Sequence, residues 1–208
     1  MESSSYPKFL SEILASGDYV DLTIVCRGHK LPAHKLVVCG QSPEAQTDTL
    51  EVDSDPGTCE LMIEFLYSGR YVIPPQEDEA LDRLEQHLKI SAIAESYDIP
   101  ALHQFAVESI QSELESNWSP DLFTEFLETT LNENCHAEIC KMAAEMTLNR
   151  IQELSMYTAF FKLAFPKEFT IALLRSTATG PYRGYNYMGN ICKVISATSW
   201  DGPVPRLD

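Results

Sequence analysis

Basic residues are scarce. Fifteen Lys and Arg stand against 31 Asp and Glu, for a formal charge of −16. Recognition of phosphate backbones needs clustered cations, so no nucleic-acid partner is expected, and an anionic membrane surface would repel the chain. Long apolar runs are also missing: none approaches the ~20 residues a helix needs to cross a bilayer. The opening Met1-Glu2-Ser3-Ser4-Ser5 has no apolar stretch behind it, so no signal peptide is expected. Glycine numbers only 9, with no glycine-rich phosphate loop. Six cysteines, at 26, 39, 59, 135, 140 and 192, are too dispersed for a small disulfide scaffold. They read as reduced thiols used as small hydrophobes in a cytoplasmic or nuclear protein.

What is present is a chain of 208 residues, 44% hydrophobic, long enough to bury one or two cores. Charge is uneven along it. Residues 175–208 carry Arg175, Arg183, Lys193 and Arg206 against Asp201 and Asp208, a net of +2, so the first 174 carry −18.

Periodicity orders the elements. Phe9, Leu10, Ile13 and Leu14 sit at helical spacing over residues 8–15, and Gly17 stops that helix. A strand follows from Asp21 through Thr23, Ile24 and Val25. Arg27-Gly28-His29 is the turn of a hairpin, and the return strand from His29 passes into a helix opening at Ala33-His34-Lys35. Leu50-Glu51-Val52 alternates as a strand. Asp55-Pro56 then caps a helix, because proline at its first position gives up an N–H that has no partner anyway. Leu61, Met62, Phe65 and Leu66 line one face and Gly69 ends it. A short strand is expected at Tyr71-Val72-Ile73. Leu81, Leu84, Leu88, Ile93 and Tyr97 stripe the next helix, and Leu102, Phe105, Ala106, Ile110 and Leu114 the one after Pro100. Helices are expected over 120–131, 135–154 and 156–165. Beyond Leu174 periodicity is lost.

These motifs, in this order, resemble the BTB/POZ domain, and in particular short fungal-type members of that family. The residues that carry the likeness are Gly17-Asp18-Tyr19-Val20-Asp21-Leu22-Thr23-Ile24 and Leu31-Pro32-Ala33-His34-Lys35-Leu36-Val37-Val38. Leu50-Glu51-Val52 before Asp55-Pro56, Phe65-Leu66-Tyr67-Ser68-Gly69-Arg70-Tyr71, and Tyr97-Asp98-Ile99-Pro100-Ala101-Leu102 complete it. The resemblance implies an α+β fold, a small mixed sheet flanked by helices, over residues 1–118. A helical extension over 119–174 is similar to a truncated BACK-type region, and an irregular tail fills 175–208.

One departure from the family stands out. Ser42-Pro43 is followed at once by Glu44-Ala45-Gln46-Thr47-Asp48, where members of the family continue with the rest of a helix and a hydrophobic-x-Glu triplet. About a dozen residues are missing, roughly three helical turns. A lineage-specific deletion and a spliced or misread frame account for it equally well. The loss is expected to uncover the face of Leu61, Met62, Phe65 and Leu66 and to lower stability. It also leaves Glu44 as the sole residue of the triplet through which such proteins contact a cullin.

Candidate chemistry is thin. Asp21 and Lys35 match the family positions that form a charged pocket at the dimer groove, although an ordinary structural ion pair is the favoured reading. Cys135, His136 and Cys140 point off a helix in different directions and have no second ligand pair, so no metal is expected. His34 reads as a structural anchor. His29, His87 and His103 lack a nucleophile motif, so neither catalysis nor a cofactor is expected. Gln76-Glu77-Asp78-Glu79 reads as a solvated helix start. Tyr182, Tyr185 and Tyr187 lie in a tail read as unstructured, with a partner-binding strip as the alternative.

The expected function is therefore non-enzymatic: a protein–protein interaction module that homodimerises through Phe9, Leu10, Ile13 and Leu14. The alternatives are a substrate adaptor for a cullin-type ubiquitin ligase, contacting a cullin scaffold or other BTB proteins, a transcription-regulator partner, and a poorly folding fragment without binding activity.

Overall fold

The structure, a computed structural model, describes residues 5–42, 47–73, 80–131 and 136–179, with backbone alone at 5–8 and 177–179. It divides into two compact units between Glu113 and Leu114.

The first unit opens with α1 (Ser5–Ser16) and continues through β1 (Leu22–Cys26), β2 (His29–Ala33), α2 (Lys35–Cys39) and β3 (Thr49–Val52). The helices α3 (Pro56–Ser68), α4 (Ala80–Ser96) and α5 (Pro100–Ser116) follow. The strands lie in the order β2-β1-β3. β1 runs antiparallel to β2, with Leu22 opposite Ala33 and Cys26 opposite His29, and parallel to β3, with Ile24 opposite Leu50. Strand alternation sends Leu22, Ile24 and Cys26 into the core beside Leu50 and Val52. The hairpin turns on Arg27 and Gly28, both at positive φ (45° and 88°), the backbone that matches strand twist in a two-residue connection.

α3 is delimited as its sequence dictates. The Asp55 carboxylate accepts from the Thr58 N–H at 3.0 Å, Pro56 takes the first helical position, and Gly69 at φ 75° returns its N–H to Phe65 O. Between α4 and α5 the chain reverses at Asp98, at φ 50°. The Tyr97 hydroxyl there donates to Glu51 O at 2.7 Å and ties the end of α4 to β3.

Two expectations are corrected in this unit. Residues 71–73 form no strand among the described residues: Tyr71 is buried against Phe105, ring centroids 5.0 Å apart, while Val72 faces solvent. An aromatic and β-branched run supplies a strand's propensity but not the neighbour whose hydrogen bonds make it one. The face of Leu61, Met62, Phe65 and Leu66 is not left bare either, since all four are under a tenth exposed. Their cover includes Phe105, whose ring lies 5.5 Å from that of Phe65.

The second unit holds the end of α5, then α6 (Pro120–Thr130), α7 (Ala137–Asn149), α8 (Ile151–Leu154) and α9 (Lys167–Thr179). Ser119 caps α6 by accepting from the Leu122 N–H at 3.1 Å. Phe123, Phe126, Phe160 and Phe169 are fully buried, and Phe165 stacks on Phe169 at 5.1 Å. The single helix expected over 135–154 breaks at Arg150, whose backbone (φ −115°, ψ 13°) leaves the helical region. The helix expected over 156–165 is only a 3-10 turn, Phe160–Lys162, after which Leu163 is extended. α9 runs past Leu174 because Phe169 and Leu173 are buried and hold its apolar face. The rest of the expected tail, with Tyr182, Tyr185 and Tyr187, lies outside the described residues.

Candidate protein-binding surface

α1 packs on α3 through Leu10 and Leu14, which rest against the core. Its Phe9 is 55% exposed, and Ile13 is half-buried. Gly17, at φ 70°, ends the helix with its N–H on Ile13 O at 3.1 Å. Three bonds then lay residues 18–21 along the start of α2. Asp18 O accepts from His34 Nε2 at 2.8 Å, the Asp21 N–H donates to Ala33 O at 3.3 Å, and Asp21 Oδ1 accepts from the Lys35 N–H at 2.8 Å.

His34 is the hub. A carbonyl only accepts, so Nε2 carries the proton shared with Asp18 O. In the neutral ring Nδ1 then accepts from the Tyr67 hydroxyl at 2.6 Å, and that oxygen accepts the His34 N–H at 2.9 Å. Burial pushes the Tyr67 hydroxyl pKa up, against the lowering effect of the His34 N–H. The anchoring role expected of His34 is what this geometry performs.

Fixing residues 18–21 this way presents an apolar surface. Tyr19 is 86% and Leu36 87% exposed, with Val20 partly so. Beside α1, a groove of about 610 Å³ has a mixed lining that includes Leu14, Leu31, Ile63 and Tyr67 together with Glu64 and Arg70.

The expected pairing of the Asp21 and Lys35 side chains is not what the structure forms. Lys35 Nζ pairs with Asp48, while Asp21 caps the Lys35 backbone amide. The hydrogen bond to Asp48 raises the Lys35 pKa, opposed by desolvation and aided by the Asp48 and Asp21 charges. The same bond lowers that of Asp48. Asp48 is exposed, so this pair is a solvated clasp. Glu44 lies outside the described residues.

A second imidazole–tyrosine pair lies deeper. Tyr71 Oη is 2.7 Å from His87 Nδ1, and desolvation lowers the His87 pKa to about 4. The Glu113 charge opposes that shift and Arg83 adds to it, these two being themselves paired at 2.5 Å. Burial raises the Tyr71 hydroxyl pKa. His136 Nδ1 accepts from the Glu138 N–H at 3.3 Å, as the N-cap of α7, and Cys140 is buried on that helix; Cys135 lies outside the described residues. The expectation of six reduced thiols is corrected: Cys26 and Cys59 form a disulfide, while Cys39 and Cys140 are not disulfide-bonded. No spacing rule signals a pair 33 residues apart. Tyr67 and Asp48 were missed for the same reason, whereas Leu36 was visible as an apolar residue at a helix start.

This fold and surface meet a known family. The BTB/POZ domain family matches residues 10–114, just over half of the chain. The chain belongs to that family. The chain is 28% identical over 102 residues to protein bric-a-brac 2 of Drosophila melanogaster, a match covering 44% of this chain and 10% of that protein. The chain thus spans about a tenth of the length of that relative. BTB domains are protein–protein interaction modules. No helix among the described residues is long and apolar enough to cross a membrane.

Proposed function

We propose that the chain is a homodimerising interaction module that binds without catalysis and uses the α1 surface for the self-contact. The observation that carries this is the exposure of Phe9 on a helix whose Leu10 and Leu14 already pack on their own core. Tyr19 and Leu36 are further exposed apolar side chains of the same unit, and large aromatic and aliphatic side chains held on a rigid frame are what interface centres use. Ile13 belongs to the same surface. The imidazoles of His34 and His87 are each bound to a tyrosine hydroxyl, which suits anchoring rather than proton transfer to a substrate.

Asp21 and Lys35 hold the start of α2, as a cap on its backbone and a clasp to Asp48. Adaptor activity toward a cullin is the second expectation for a BTB protein. Here it rests on Glu44 alone, and we place it behind self-association. Light scattering on the eluting protein at two loading concentrations tests the reading. A mass of twice the 23.4 kDa chain supports it, and a chain mass at both concentrations removes it.

A further inference from the structure

Cys26 is the last residue of β1 and Cys59 stands in the first turns of α3, with Cα atoms 6.8 Å apart. Both are fully buried. Apart from the main chain itself, their bond is the one covalent cross-link between the sheet and α3 among the described residues, and it closes a loop of 33 residues that carries β2, α2 and β3. These are the elements that hold Asp18, Asp21 and His34 in register.

We propose that Cys26 and Cys59 are a reversible redox-modification site, a dithiol–disulfide couple whose co-reactant is a low-molecular-weight disulfide. Oxidation forms the Cys26–Cys59 S–S bond and breaks that of the small disulfide. Two electrons pass from the protein sulfurs to the reagent, which leaves as two thiols carrying the two protons.

Three features support a couple rather than a permanent staple. Each cysteine sits in an element held by other means, β1 by both neighbouring strands and α3 by its caps and buried face, so reduction leaves the fold in place. Reduced, the two thiols occupy the same core as small hydrophobes, with no buried charge created. Access is local. Cys26 is the terminal rung of both ladders, opposite His29 and Val52, beside the positive-φ turn at Arg27 and Gly28. Strand ends open at far less cost than whole units. What the couple changes is therefore how firmly the sheet is tied to α3.

The test uses the full chain in buffers of oxidised and reduced glutathione. Exchange is stopped with acid, thiols are alkylated under denaturing conditions and mapped by peptide mass, and thermal unfolding is followed at each poise. The oxidising poise should remove alkylation at 26 and 59 together, without glutathione adducts. Closing a loop of 33 residues should separate the two melting temperatures by about 10 °C or more. The double variant Cys26→Ala/Cys59→Ala should melt near or below the reduced wild type and respond to neither buffer. Failure of the pair to oxidise, a separation below about 2 °C, or a variant that still responds to poise overturns the proposal.

Discussion

The backbone N–H of His34 donates to the Tyr67 hydroxyl at 2.9 Å while the His34 ring meets the same oxygen at 2.6 Å. One hydroxyl near the end of α3 thus satisfies two groups at the start of α2, and the opposite ring nitrogen holds the chain at Asp18. A buried polar group left without its partner costs more than the bond contributes, so this hydroxyl matters beyond its own strength.

Tyr67→Phe keeps the ring and removes the oxygen. We expect a loss of about 2–3 kcal/mol in urea unfolding, because the His34 N–H and Nδ1 both lose their partner inside the fold. A change below about 0.5 kcal/mol, within the range of ordinary surface substitutions, would show that water replaces the hydroxyl.

Stability should fall between pH 6.5 and 4. In the unfolded chain His87 titrates near 6.5, and in the fold its pKa is about 4, so through this window the unfolded state binds the extra proton. The contribution is fully present above pH 6.5 and declines as pH falls through the window. It amounts to about 2–3 kcal/mol. His87→Gln retains an acceptor for the Tyr71 hydroxyl and should flatten this part of the urea-midpoint profile. An unchanged slope would place the proton elsewhere.

Phe9→Asp combined with Leu36→Asp should bring the scattering mass to 23.4 kDa with the circular dichroism of the fold intact, since both side chains face solvent. Leu10→Asp is a poorer test, because Leu10 packs against the core and its loss weakens the monomer as well. If the double variant keeps twice the chain mass, the self-contact lies on another face.

Asp21→Ala should destabilise more than Asp48→Ala. Asp21 satisfies a backbone N–H at the start of α2, and losing such a cap costs about 1 kcal/mol. Asp48 pairs with Lys35 in solvent, and its removal should leave the urea midpoint unchanged in 0.15 M salt. The reverse order would make the exposed pair the structural one.

The sequence alone determined the local grammar of this protein. Arg27-Gly28 after the β-branched run Thr23-Ile24-Val25 marks a hairpin turn, and Asp55-Pro56 with Gly69 brackets α3 at both ends. The apolar stripe of α1 and the order of the family's motifs were legible for the same reason, because spacing and backbone preference act over a few residues. Tertiary structure decided what acts across distance. Whether residues 71–73 become a strand depends on a neighbour, and whether the α3 face is bare depends on Phe105, 40 residues downstream of Phe65. The links from His34 to Tyr67, Lys35 to Asp48 and Cys26 to Cys59 are likewise set by how elements pack. Packing selects partners by position in space, and sequence separation carries no record of that choice.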